Sequence, residues 1–151
     1  MDVLTLLKED HDKVKRLLEE GDKTTERGEK TRTELFTRLK TMLTAHEAME
    51  EEVLYPALKA HAQAKELTLE AYEEHHVVDV VLEELEKTPV SDEQWGAKWT
   101  VAKENIEHHI EEEEGEMFRD IREIFSSEER AAMAAKMAEI RTLAKQVLAE
   151  E

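Results

Sequence analysis

The sequence repeats one helical pattern twice, and this repeat constrains the fold more than any other feature. His11 and His75 each follow two acidic residues, and after six further residues each is followed by Leu-Glu-Glu. His46 and His109 each stand four residues before a Glu-Glu pair. The copies lie 64 positions apart for the first pair of histidines and 63 positions apart for the second. Two nearly equal offsets indicate a duplicated helical hairpin whose copies face one bundle axis.

Apolar residues recur at helical spacing along most of the chain and predict four long helices followed by a fifth. The first helix is expected to end near Glu20, ahead of a polar stretch that contains two glycines. The second must kink or end around Tyr55 and Pro56, because proline has no amide proton to donate. The third spans about 67–87 and is stopped by Pro89.

Two capping patterns mark the starts of the last two helices. Ser91 with Gln94 resembles a capping box for the fourth helix, and Ser126 with Glu129 resembles one for the fifth. One apolar stripe of the fifth helix is expected to contact the core, namely Met133, Met137, Ile140, Leu143 and Val147.

Short connections between consecutive long helices favour antiparallel neighbours. We therefore expect an all-α fold, an up-down-up-down antiparallel four-helix bundle with an additional C-terminal helix. Residues 1–125 would form the bundle, and residues 126–151 would form the C-terminal helix packed on the same domain.

Composition excludes several classes of function. The chain has no cysteine, which rules out disulfides, thiolate metal sites and iron-sulfur clusters. Its formal net charge of -17 would repel phosphate backbones and anionic lipids, so nucleic acids and membrane surfaces are not expected partners. Because no basic leader or long apolar run is present, we expect a soluble, cytoplasmic protein, either a monomer or a weak dimer.

The repeated histidines and glutamates carry the strongest functional signal. Residues four apart are neighbours on a helix face, so His46 lies over Glu50 and His109 lies over Glu113. A lone histidine on an apolar stripe is more often a hydrogen-bonded core residue than a ligand. Several imidazoles and carboxylates buried along one axis are costly without compensation, so the repeat predicts a metal centre. Nitrogen and oxygen ligands suit iron, manganese or zinc, and spacing does not choose among them.

The other histidines are expected on the surface. His108 with Glu112 is a third pair of the same spacing, but a chain this rich in glutamate produces such pairs by chance. His76 and His108 point about 100° away from their inward neighbours on an ideal helix, and His61 falls in a turn.

From Asp2 to Phe125 the arrangement resembles the hemerythrin or HHE cation-binding domain, including the Tyr-Pro pair after the first His-Glu pair. The resemblance implies a non-haem centre of two iron ions, bridged by the two paired glutamates and by oxo or hydroxo when oxidised. The ligands that it implies are His11, His46, Glu50, His75, His109 and Glu113. Glu47 is an additional candidate, since an iron-sensing branch of the family uses the corresponding position.

Asp79 marks a departure from the oxygen-carrying hemerythrins, which keep a histidine four residues after the lone histidine of the third helix. A carboxylate there is a candidate ligand or catalytic group. These carriers also place an aspartate where this chain has Glu114, but Glu113 at four-residue spacing is the more natural ligand. Tyr55 is a further catalytic candidate, because a distortion at Pro56 would turn its hydroxyl toward the metal ligands.

We therefore expect redox chemistry on a small oxidant, either hydrogen peroxide decomposition or turnover of nitric oxide or peroxide, by a catalase-like, peroxidase-like or nitric-oxide-consuming enzyme. Oxygen donors in place of an imidazole should favour ferric iron and leave a coordination position open. The alternatives are a protein that binds, senses or stores oxygen or iron without turnover, and a metal-free helical interaction module.

Overall fold

The computed structural model describes residues 1–150, and these residues form helices without any strand. The α-helices are α1 (Val3–Asp22), α2 (Glu29–Met49), α3 (Tyr55–Lys59), α4 (Lys65–Lys87), α5 (Glu93–Glu112), α6 (Phe118–Ile124) and α7 (Ser127–Glu150). A 3₁₀ turn at Ala62–Ala64 precedes α4. The all-helical class expected from the sequence is confirmed. None of the helices between residues 1 and 150 combines the length and apolarity needed to cross a lipid bilayer.

Two π-helical segments join α2 to α3 and α5 to α6, so that each pair forms one continuous rod. They span Glu50–Leu54 and Glu113–Met117, and both begin at the glutamate of a His-Glu pair. The irregularity expected near Pro56 is therefore a π-helical turn that comes before the proline. The second half has the same turn without any proline, so the interruption belongs to the repeat and not to Pro56.

Of the two predicted N-terminal caps, the structure confirms that of α7 and corrects that of α5. Ser126 and Glu129 exchange two hydrogen bonds between side chain and backbone, as a capping box requires. The expected cap at Ser91 is wrong, because Asp92 accepts a hydrogen bond from the amide of Gln94 and α5 begins one residue later. A carboxylate is as good an N-cap as a hydroxyl, which is why neighbouring candidates are hard to rank.

The apolar core is divided into two clusters. The first, near the start of α1, includes Leu7, Leu58 and Ile121. The second, near the α4–α5 connection, includes Leu39, Leu85 and the stacked indoles of Trp95 and Trp99. Buried histidines and glutamates lie on the same helices between the two clusters, so apolar packing on both sides holds this polar layer in place.

Gly21 allows one close contact in the second cluster. The Trp99 indole lies where a side chain on Gly21 would begin, since a Cβ there would approach it to 2.1 Å. The same indole donates a hydrogen bond to the Leu18 carbonyl at 3.0 Å. The contact joins α1 to α5, which supply histidines from different halves of the repeat.

The C-terminal helix α7 packs against α1 and α2. Its expected apolar stripe is correct only in part: Met137 is buried and Met133 and Ile140 pack against the core, but Leu143 and Val147 are 61% and 57% exposed. Two arginines connect α7 to α1, Arg130 through Asp2 and Arg141 through Asp10. The less exposed positions of the last turns include Arg141, Ala144 and Leu148, so Leu143 and Val147 lie on the other face of α7.

Candidate metal centre

The six residues that the repeat places on one axis, and that the resemblance implies as metal ligands, meet in the polar layer. Each is at most 8% exposed, and each lies on an inward stripe of α1, α2, α4 or α5 or at the start of a π segment. Helical spacing explains why the histidines face inward: on α4, for example, His75 lies in line with Ala71, Val78 and Leu82. Packing of apolar neighbours therefore directs the polar groups to the axis.

The first half of the centre consists of His11 and His46 with both glutamates. His11 Nε2 lies 3.1 Å from Glu113 Oε1, and His46 Nε2 lies 3.2 Å from Glu50 Oε1. His46 Nε2 is also 4.0 Å from Glu113 Oε1. One donor atom from each of the four side chains lies within 4.8 Å of the others, a spacing that could hold a metal ion.

The second half consists of His75 and His109 with the same two glutamates. His75 Nε2 lies 3.1 Å from Glu50 Oε1, and His109 Nε2 lies 3.3 Å from Glu113 Oε2. Glu50 Oε1 therefore contacts one histidine of each half, while Glu113 turns one oxygen toward each half. Glu50, His75 and His109 form a second group whose donor atoms could hold a metal ion.

Four buried nitrogen and oxygen atoms in this layer have no hydrogen-bond partner. His11 Nε2, His46 Nε2, Glu50 Oε2 and Glu113 Oε1 are all buried, although other polar atoms lie close to them. Buried polar atoms in proteins are nearly always satisfied, and leaving one without a partner costs about 1–3 kcal/mol. Imidazole nitrogens and carboxylate oxygens that converge in this way fit a cation, so the residues present suit the metal centre expected from the sequence.

The electrostatics of the cluster follow from burial opposed by ion pairing. Burial acts to lower the pKa of His75, but its contacts with Glu50 and Glu51 raise it to about 9. Burial likewise opposes protonation of His109, whose pKa is raised to about 10 by Glu113 and Glu74. Hydrogen bonds with Glu50, His109 and His11 hold the pKa of Glu113 well below its usual range despite burial. The ionised Glu113 carboxylate therefore favours positive charge at His11 and His109.

Four further carboxylates, for which the sequence predicted no role in the centre, hold the outer nitrogens of the histidines. The Nδ1–H groups of His46 and His109 donate to Asp10 and Glu74, at 2.9 and 2.7 Å. Those of His11 and His75 donate to Glu114 and Glu51, at 2.6 and 3.1 Å. A carboxylate on the outer nitrogen fixes the ring orientation and makes the inner nitrogen a stronger metal ligand.

The repeat itself contained the signal for these four residues. Asp10 and Glu74 each come just before a lone histidine, and Glu51 and Glu114 each come just after a paired glutamate. Each lone histidine is held by the glutamate of the opposite half: Glu114 contacts His11, and Glu51 contacts His75. The acidic neighbours could have been found in the aligned copies, but their partners depend on the helix packing.

Tyr55 is buried, and its hydroxyl reaches the second half of the centre. The hydroxyl oxygen is 3.0 Å from Glu113 Oε2, 3.1 Å from His75 Nε2 and 3.3 Å from Glu50 Oε1. The π-helical turn explains this orientation, because its hydrogen bonds join residues five apart and Tyr55 stands five residues after Glu50. In the other copy Phe118 takes the corresponding position. Its ring stacks on that of His11, with the two ring centroids 6.4 Å apart.

Asp79 and Glu47 lie beside the centre, and the structure does not bring Asp79 into either ligand group. Val78 faces the axis on α4, which leaves Asp79 at the exposed edge. Burial raises the pKa of Glu47 to about 9, and the neighbouring Asp79 carboxyl adds to that rise. Glu47 joins His75 and Glu51 in a third, outer group of candidate metal-binding residues. His61, His76 and His108 are exposed, as the sequence predicts.

Comparison with known proteins agrees with these observations. The hemerythrin HHE cation binding domain matches residues 2–121. A solved structure of a hemerythrin HHE cation binding domain-containing protein from Mycobacterium kansasii is similar with a TM-score of 0.86 and 28% sequence identity, over 97% of this chain and 89% of that one. No curated protein sequence matches the chain significantly. Since the domain match includes every histidine and glutamate of the buried cluster, the chain belongs to the hemerythrin HHE cation-binding family.

Proposed function

We propose that this protein holds two iron ions between its four inward histidines and performs redox chemistry on a small oxidant, with hydrogen peroxide as the preferred substrate and nitric oxide as the second. The observation that carries the proposal is the convergence of His11, His46, Glu50 and Glu113 with buried donor atoms that lack partners. The other half repeats the arrangement around the same two glutamates. Carboxylates shared by two ligand sets suit a bridged pair of ions.

The cavity above the histidines supports a small substrate. It has a volume of about 20 Å³, and besides the histidines and Glu47 it is lined by aliphatic side chains such as Val14, Leu43 and Ile106. A space of this size holds little more than one water molecule, so peroxide, oxygen or nitric oxide could enter and an organic substrate could not. The apolar walls would also keep bulk water away from the ligands.

Peroxide decomposition fits the chain because it needs no separate reductant. Two molecules of hydrogen peroxide give two of water and one of oxygen, so one molecule is oxidised as the other is reduced. The iron pair would supply and take back the two electrons. The Tyr55 hydroxyl, 3.0 Å from Glu113 Oε2, is placed to hold or pass a proton beside the ligands of the second half.

Reversible oxygen carriage is the weaker proposal for this chain. The position that oxygen carriers fill with another histidine holds Asp79, which is exposed here. Each half of the centre therefore has two histidines, and neither half gains a third imidazole from α4. Fewer imidazoles and more oxygen donors favour ferric iron and turnover over a stable oxygen complex.

We also propose that α1, the α2–α3 rod, α4 and the α5–α6 rod alternate in direction and form one domain with α7. Connections of a few residues link α1 to α2 and α4 to α5, and both pairs pack together. Short connections of this kind favour antiparallel neighbours.

Metal analysis combined with a peroxide assay tests the function. The chain loaded anaerobically with ferrous iron should retain about two ions and then release oxygen from hydrogen peroxide over repeated turnovers. A well-folded chain that stays metal-free would exclude the metal centre and favour a helical interaction module. A chain that holds iron, ignores peroxide and nitric oxide, and binds oxygen reversibly would be a carrier or sensor.

A further inference from the structure

The two halves of the centre differ in what supports their outer carboxylates. Arg141 of α7 donates to Asp10 Oδ1 at 2.7 Å, and Asp10 Oδ2 accepts from His46 Nδ1 at 2.9 Å. Two consecutive hydrogen bonds therefore connect the C-terminal helix to a histidine of the first half. Asp10 is only 3% exposed, so both of its oxygens are used within the protein.

The second half lacks this support. Glu74 corresponds to Asp10 in the repeat and contacts His109 Nδ1, but its side chain is 25% exposed. Among residues 1–150, no lysine or arginine forms an ion pair with Glu74, and the other nearby ring is that of His108, which is itself exposed and lies 4.0 Å away. An oxygen of Glu112 lies within 4.8 Å of one of Glu74, which adds a second carboxyl where the first half has a guanidinium.

These surroundings have opposite consequences for the two histidines. A buried carboxylate is costly unless it is paired, and the guanidinium compensates Asp10 while holding it in one orientation. Asp10 in turn fixes the His46 ring with Nε2 facing the axis, which lowers the cost of ordering that ligand when a metal binds. Glu74 can exchange its contact with His109 for water, so the His109 ring is held less firmly.

We propose that Arg141 is a positioning residue which, through Asp10 and His46, makes the His11–His46 half of the centre retain its metal ion longer than the His75–His109 half. The inference rests on the metal binding that the proposed function assumes, but not on peroxide chemistry. Arg141 lies beyond residue 121, where the family match ends, so this control comes from the C-terminal helix and not from the matched domain.

Cobalt(II) release tests the proposal without redox activity. The full chain is loaded with cobalt, and removal of the ions by a chelator is followed through their visible absorption. The unaltered chain should release cobalt in two phases. Arg141→Gln should accelerate the slow phase about tenfold and leave the fast phase unchanged, and Arg141→Lys should restore part of the difference because it keeps the charge.

Arg130→Gln is the matched control. Arg130 also connects α7 to α1 through an aspartate, at 2.8 Å, but Asp2 contacts no histidine of the centre. Arg130→Gln should therefore leave both release phases unchanged, even where it loosens α7 as much as Arg141→Gln does. Thermal unfolding of the metal-free variants shows whether the two substitutions weaken the fold equally.

Three results would overturn the inference. The first is a single release phase in the unaltered chain, and the second is no change in release with Arg141→Gln. The third is that Arg141→Gln and Arg130→Gln change the two release phases in the same way. The last would mean that Arg141 only anchors α7. If the cobalt result is as expected but the iron-loaded chain does not consume peroxide, the proposed function fails while the role of Arg141 stands.

Discussion

The His11–His46 half of the centre and the His75–His109 half have matched ligands and corresponding outer carboxylates, yet several contacts around them differ. Phe118 lies against His11, whereas Tyr55 brings a hydroxyl to His75. Arg141 supports Asp10 in the first half, and within residues 1–150 no arginine or lysine pairs with Glu74 in the second. The repeated residues account for the ability to bind metal in both halves. The residues that depart from the repeat distinguish one half from the other.

The largest expected effect is loss of a glutamate that both halves share. Glu50→Ala should lower metal affinity by more than about 100-fold in both halves, because Glu50 Oε1 contacts His46 and His75 alike. Glu112→Ala is the control, since Glu112 pairs with the exposed His108 at the same four-residue spacing. Metal content after gel filtration measures both. Similar losses in the two variants would mean that the ligand register is wrong.

An intermediate effect is expected where the halves differ in polarity. Tyr55→Phe makes the second half resemble the first and should reduce peroxide turnover by about 100-fold with little change in metal content, because a group that can transfer a proton is removed. Phe118→Tyr, the reciprocal change, should affect turnover far less. Oxygen release from peroxide is the measurement. Full activity in Tyr55→Phe would assign the hydroxyl to packing alone.

The smallest effect should come from the carboxylates that hold the lone histidines. Glu114→Gln should weaken metal retention by up to about tenfold, because its contact with His11 is short and its side chain is 21% exposed. Glu51→Gln should have a smaller effect, since Glu51 is 40% exposed and its contact with His75 is longer. Competition with a chelator compares the two. The reverse order would show that burial does not govern the strength of these contacts.

Much of the fold and of the candidate site could be predicted because the relevant interactions are local. Helical periodicity predicted the all-helical class, and the two aligned copies predicted the six inward histidines and glutamates that the structure brings together. The cap of α5 was misplaced by one residue because Ser91 and Asp92 are both suitable caps. The end of the α7 stripe, Leu143 and Val147, was misassigned because the packed face there passes through Arg141, Ala144 and Leu148, and alanine and arginine do not stand out in an apolar pattern.

The sequence by itself determined that four helices carry equivalent polar residues on apolar faces, since both facts depend only on spacing along a helix. Tertiary structure decided how those residues are used. The π-helical turns bring Tyr55 inward by changing the helix register, and helix packing pairs Glu51 with His75 and Glu114 with His11 across the repeat. The docking of α7 adds Arg141 to one half alone. These contacts join residues up to 131 positions apart, so they depend on how the helices pack and not on any pattern within a single helix.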